Sequence, residues 1–138
     1  MKKGFTLVEL MIVIAIISIL ALVLLPNFVI ARHQARLSAC QSNIKNISTA
    51  VETYCSSNND QYPQNDFIVD NNSPLYNYIQ KDIKCPLIKE YYEYKINTTG
   101  NKYWIYCPTI SNTKKHKTNK GIITKIYLDN VEGLKIEY

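Results

Sequence analysis

Phe5 to Leu25 reads FTLVELMIVIAIISILALVLL, with Thr6, Glu9 and Ser18 as its only polar members. Wound as an α-helix, this stretch would run about 31 Å, enough for the hydrocarbon core of a bilayer. A core helix apolar on every face would need a large protein around it, and a chain of 138 residues cannot supply one. A secretory signal has a shorter apolar region and a small-residue cleavage site after it, whereas Leu24-Leu25-Pro26-Asn27-Phe28 follows here. The stretch reads as a membrane-spanning helix.

The rest of the chain contrasts with it. Between Gly4 and Ala31 the only charged residue is Glu9, and nearly every other charge lies from Arg32 onward. All the tyrosines fall between Tyr54 and Tyr138, so an apolar rod precedes a polar, aromatic-rich head. The formal charge of +5 includes Lys2 and Lys3, and falls to +3 if the leader that carries them is removed. That mild balance does not call for nucleic acid as a partner. Lys2 and Lys3 precede the apolar run, but Arg32, Arg36 and Lys45 follow it, so charge leaves the orientation open. The cysteines of the later part favour an oxidising compartment for the head, with the N-terminus in the cytoplasm.

A generic membrane anchor does not explain Glu9. A carboxylate inside an apolar helix costs up to about 3 kcal/mol at mid-bilayer, less near the end, and usually has a partner. Cutting the chain after Gly4 would create an α-amino group at Phe5, one helical turn from Glu9. The alternative is a carboxylate that stays at the interface, solvated or protonated.

Lys2-Lys3-Gly4-Phe5-Thr6-Leu7-Val8-Glu9-Leu10, with the apolar run and Pro26 behind it, resembles the signal of type IV pilins and type II secretion pseudopilins. The resemblance is specific over roughly the first 30 residues and general beyond them. It implies that a membrane prepilin peptidase cuts between Gly4 and Phe5 and that the Phe5 amine is methylated. Gly4 matches the position where little but glycine is tolerated, in keeping with a close backbone approach. Glu9 matches the glutamate that pairs with the N-terminal amine of a neighbouring subunit. The apolar helices would then leave the lipid and bundle as a filament core, with Glu9 fixing register. Pro26 removes an amide that would bond back to Leu22 and should kink or loosen the helix.

From Asn27 to Tyr54 the pattern stays helical: Ile30, Leu37, Cys40, Ile44, Ile47, Val51 and Tyr54 recur at threes, fours and sevens. Ser56-Ser57-Asn58-Asn59-Asp60 ends the helix, and Tyr62-Pro63 forbids an easy restart. One nearly continuous helix is expected from Phe5 to about Cys55. Asp66 to Ile83 reads as a loop with a short helical piece near Leu75–Ile79. Strands are expected at Tyr92–Ile96, Tyr103–Cys107, Ile122–Leu128 and Leu134–Ile136, the first two joined by Asn97-Thr98-Thr99-Gly100-Asn101 and the last two by a turn over Asp129–Gly133. The fold class is α+β: a long N-terminal helix, transmembrane then amphipathic, packed on a small antiparallel sheet. Residues 1–4 form the leader, 5–26 the membrane and filament-core helix, and 27–138 the helical spine and head.

No catalytic constellation is present, and no cofactor is expected. His33 and His116 are the only histidines, without metal-ligand spacing around either, and no two cysteines form a CxxC pair. Lys114-Lys115-His116-Lys117-Thr118-Asn119-Lys120 could grip DNA, but no aromatic residue interrupts it, so a solvated loop is the better reading. Asp129, Asn130 and Glu132 could offer oxygens to calcium, yet Asp-Asn also simply favours turns.

Four cysteines allow three full pairings. Cys40 and Cys55 should lie about 22 Å apart on one helix, out of disulfide reach. Cys85 and Cys107 flank the first hairpin and are each followed by proline, so a Cys85–Cys107 disulfide is expected. Cys40 falls on the apolar stripe as a buried small residue, and Cys55 is left open as a partner for either.

The expected protein is thus a structural subunit of a type IV pilus-like filament. Its partners are copies of itself, a prepilin peptidase, inner-membrane assembly machinery and, before assembly, lipid. The alternatives are a type II secretion pseudopilin and a minor pilin that binds DNA or surfaces through the basic loop.

Overall fold

The computed structural model describes residues 4–79, 83–97, 99, 101–108, 116–118, 121–123 and 125–137, without side chains at 23–27, 117–118 and 121–122. The chain divides into two compact units, 1–32 and 33–138. A single helix, α1 (Leu7–Ser57), begins in the first and ends in the second.

In the first unit α1 has no core of its own. Its large apolar side chains from Phe5 to Leu22 are 43–79% exposed. Deep in this run, the Ser18 hydroxyl donates to the Ile14 carbonyl at 2.7 Å and so spends its polarity on its own helix. Among the described residues no helix is long and apolar enough to cross a membrane. The described apolar side chains of the run, Leu7 to Leu22, account for about 24 Å of helix. Helical backbone continues through Pro26, so the proline does not end the element.

The second unit is α+β. Cys40, Ile44, Ile47 and Val51 fall at helical spacing on one face of α1 and are fully buried. They pack into one core with Tyr92, Tyr94, Tyr103, Ile105 and Ile126. The helix stops where Asn59 and Asp60 take positive φ (54° and 57°), a conformation that asparagine and aspartate tolerate better than branched residues. Asn58 helps close the end by donating its side-chain amide to the Tyr54 carbonyl at 2.8 Å.

The sheet is antiparallel, in the order β1 (Phe67–Ile68), β2 (Glu93–Ile96), β3 (Tyr103–Tyr106), β6 (Lys125–Asp129), β7 (Gly133–Glu137). Register sets Tyr94 opposite Ile105 and Ile105 opposite Leu128, which lines up the buried side chains of three strands on one face. Phe67 stacks on Tyr94 at 4.6 Å, and this contact seats the two-residue edge strand β1.

Two expectations change. The segment Ile122–Leu128 is not one strand. Gly121–Ile122 (β5) pairs instead with Lys117–Thr118 (β4) in a separate two-stranded ribbon, and the main sheet resumes at Lys125. The break lets Ile123 donate to the His116 carbonyl at 2.9 Å while its side chain enters the core. Residues 71–78 form turns rather than a helix, although the Ile79 amide still reaches back to the Leu75 carbonyl at 3.2 Å.

Candidate functional site

The N-terminal site is built on the first turn of α1. Thr6 caps the helix: its hydroxyl accepts the Glu9 amide at 3.2 Å. In return one Glu9 carboxylate oxygen accepts both the Thr6 amide and the Thr6 hydroxyl, each at 2.8 Å. This is a reciprocal capping box, and the carboxylate also meets the positive end of the helix dipole. Glu9 therefore has a local partner before any second chain is considered. The pattern Thr6-Leu7-Val8-Glu9 carries that signal in the sequence, beside the pairing expected with an amine. Phe5 is 79% exposed, and a Cβ added at Gly4 would meet nothing within 4 Å.

The head brings together more than was expected. Cys85 and Cys107 are both buried, with their sulfurs 3.7 Å apart. Cys40, expected as an inert core residue, is buried and reaches Cys107 more closely still, at 3.2 Å. Cys55 is buried elsewhere in the core and takes no part in this group.

His116 requires a correction. Assigned to a solvated basic loop without metal-ligand spacing, it is 2% exposed, and its Nε2 lies 3.6 Å from the Cys85 sulfur. Spacing along the chain did not reveal the group because its members come from four separate segments. The Cys85 thiol is pushed down by hydrogen bonds with Cys107 and Cys40, against the cost of burial and with help from His116 and the Ile88 amide. Hydrogen bonding with Cys107 and Cys85, and burial after them, push the Cys40 thiol up. Of the basic run itself, Lys114, Lys115, Asn119 and Lys120 lie outside the described residues.

The turn between β6 and β7 has its polar atoms occupied by protein groups. One Asp129 oxygen accepts the Val131 and Glu132 amides at 2.9 and 3.3 Å. The other meets the Lys102 ammonium and the Trp104 indole N–H, both at 3.0 Å. Asn130 accepts the Tyr103 amide at 3.1 Å, and Glu132 pairs with Lys135 at 3.2 Å. The oxygens considered for calcium are thus engaged in shaping the turn. At its end Gly133 adopts φ 82°, which a side chain would strain.

A second polar cluster, unforeseen in the sequence, ties helix to sheet. Glu52 accepts the Tyr103 hydroxyl at 2.6 Å and the Tyr62 hydroxyl at 3.1 Å, and Ser48 meets Tyr103 at 3.0 Å. Burial and the bond to Glu52 push the Tyr103 phenol above its ordinary range.

Comparison with known proteins sets these sites in context. Residues 1–25 match the prokaryotic N-terminal methylation motif. The chain is 30% identical over 87 residues to the ComG operon protein 3 homolog of Bacillus licheniformis, covering 62% of this chain and 82% of that protein. The chain belongs to the type IV pilin and pseudopilin family. Within it, the type IV major pilin protein PilA of Myxococcus xanthus is 44% identical over 55 residues, 40% of this chain but 25% of that pilin. The type IV wide pilus major component PilA4 of Thermus thermophilus is 47% identical over 57 residues, covering 41% of this chain and 44% of its own. The chain thus matches under half the length of these two pilins, while it matches most of the ComG relative. No solved structure matches this pilin-family chain.

Proposed function

We propose that this chain is the structural subunit of a type IV pilus-like filament, made as a membrane-anchored precursor and polymerised through its N-terminal helix. A prepilin peptidase cuts between Gly4 and Phe5, and the new Phe5 amine is methylated. The observation that carries this reading is the unbroken exposure of large apolar side chains from Phe5 to Leu22, headed by a carboxylate. A soluble monomer does not leave so long an apolar surface in water. Lipid would cover it before assembly and neighbouring helices afterwards, with the run through Leu25 long enough to span.

Each N-terminal residue has a place in this scheme. Open space around Gly4 means that its own fold does not demand glycine, so the demand would come from the peptidase's close approach to the backbone. In the filament the Phe5 amine of one subunit would reach Glu9 of another. That contact adds a full counter-charge to the Thr6 cap and sets axial register in an otherwise undirected apolar contact. Pro26 offers no amide to the Leu22 carbonyl, a weak point at which the helix can bend or unwind as subunits pack.

A second reading, a type II secretion pseudopilin, is supported by a match to the type II secretion system core protein G of Pseudomonas aeruginosa, 36% identical over 53 residues, 38% of this chain and 37% of that protein. Intact mass of the mature chain tests the processing: it should begin at Phe5 and carry one added methyl. A chain that still holds Met1, or that begins beyond Leu25, overturns it. Electron microscopy of shear-released filaments, with mass spectrometry of their subunit, separates the readings. The pilus reading requires this chain in those filaments, whereas retention in the envelope supports the second.

A further inference from the structure

Cys40, Cys85, Cys107 and His116 bury themselves against one another with 0, 0, 0 and 2% exposure. They arrive from α1, from the loop before β2, from the end of β3 and from the residue before β4. Their sulfur and nitrogen atoms all lie within 4.8 Å of one another. We propose that these four side chains form a closed structural site for a zinc ion.

The distances support a tetrahedron. Ordinary Zn–S and Zn–N bond lengths place two thiolate sulfurs about 3.8 Å apart, and a sulfur and an imidazole nitrogen about 3.6 Å apart. The Cys85–Cys107 sulfurs are 3.7 Å apart, and His116 Nε2 lies 3.6 Å from Cys85 and 3.9 Å from Cys107. The Cys40–Cys107 separation, 3.2 Å, must widen. Three soft thiolates and an imidazole suit zinc and exclude the hard, oxygen-seeking cations. With four protein ligands no position remains for water or substrate, so the ion would be structural.

The surroundings fit a metal better than a disulfide. A Cys85–Cys107 bond would join two of three clustered sulfurs and leave a thiol and a buried imidazole unused. A zinc ion engages all four. Three thiolates, one zinc ion and a neutral imidazole leave a single buried negative charge. Donors stand ready for it: the Ile88 amide at Cys85, and the Tyr92 hydroxyl at Cys40. Asn43 supports that shell by donating to the Tyr92 oxygen at 3.3 Å and to the Lys84 carbonyl at 3.1 Å. The ion would pin the helix, the Cys85 loop, the sheet and the β4–β5 ribbon at one point, a staple that a small head benefits from.

The full-length chain, purified in detergent without chelator, decides the matter. Elemental analysis should find about one zinc per chain, and cobalt exchanged for zinc should show the intense visible bands of a tetrahedral thiolate complex. Cys40→Ser and His116→Ala should each lower retained zinc at least tenfold against a mild chelator, while Cys55→Ser should keep it. If the ligand variants fail to accumulate, His116→Cys, which preserves a four-ligand set, should fold and keep zinc. The inference is overturned by a metal-free chain whose unreduced peptide map contains Cys85–Cys107 or Cys40–Cys107. Iron or copper in place of zinc, or zinc retained unchanged by the ligand variants, overturns it equally.

Discussion

The two units place their apolar residues in opposite ways. From Phe5 to Leu22 every large apolar side chain faces outward, and the first unit has no interior. From Cys40 to Val51 the same helix turns a narrow stripe inward against the sheet, with Glu52 and Ser48 fastening its polar flank. One region thus leaves its apolar side chains exposed, and the other buries them in its own core. The comparison explains how one helix can serve two purposes. Apolar surface shared with lipid or neighbours gives no unique geometry, so register must come from a polar residue. A buried stripe packed against shaped side chains specifies its own geometry.

The sharpest way to separate the regions is Glu9→Ala. Filament yield is expected to fall at least tenfold, while a protease-resistant head persists in the membrane fraction. Normal yield of filaments would show that register is set elsewhere. Ile47→Ala attacks the other side of the comparison. Removing a fully buried side chain from the core should cost the head about 3 kcal/mol in denaturant unfolding, whereas Ile16→Ala should leave that transition unmoved. Equal effects from the two would mean that the apolar run belongs to the head's core after all.

A smaller loss is expected from Glu52→Ala, which deprives the Tyr103 and Tyr62 hydroxyls of their shared acceptor. About 1 to 2 kcal/mol of head stability should disappear, with Glu52→Gln recovering part of it. The smallest effect concerns pH. At Asp129, desolvation alone would raise the carboxyl pKa, but the Val131 and Glu132 amides and the Lys102 ammonium outweigh it and hold the value below the ordinary range. A depressed folded value means that this contribution is complete above the unfolded value, about 3.9, and is lost as pH falls through the folded one. Asp129→Asn should therefore flatten the acid limb of the head's stability curve. An acid limb identical to the parent's would place that pH dependence on other groups.

Much of the molecule was open to reading from local pattern. The apolar run, Glu9, the stripe at Cys40, Ile44, Ile47 and Val51, and strands near Tyr94, Ile105 and Ile126 all follow from period and composition, which are properties of neighbouring residues. The capping role of Thr6 was equally local and could have been read from its spacing to Glu9. Other features required the chain to return on itself. Nothing about Cys85, Cys107 and His116 taken singly says that they meet Cys40, because that meeting depends on sheet register and on the ribbon that breaks the segment at Ile123. Likewise nothing in the local pattern around Glu52 says that the Tyr103 and Tyr62 hydroxyls, from later in the chain, meet its carboxylate. Secondary structure is governed by contacts a few residues long, whereas a four-ligand cluster exists only once long-range packing has brought its segments together.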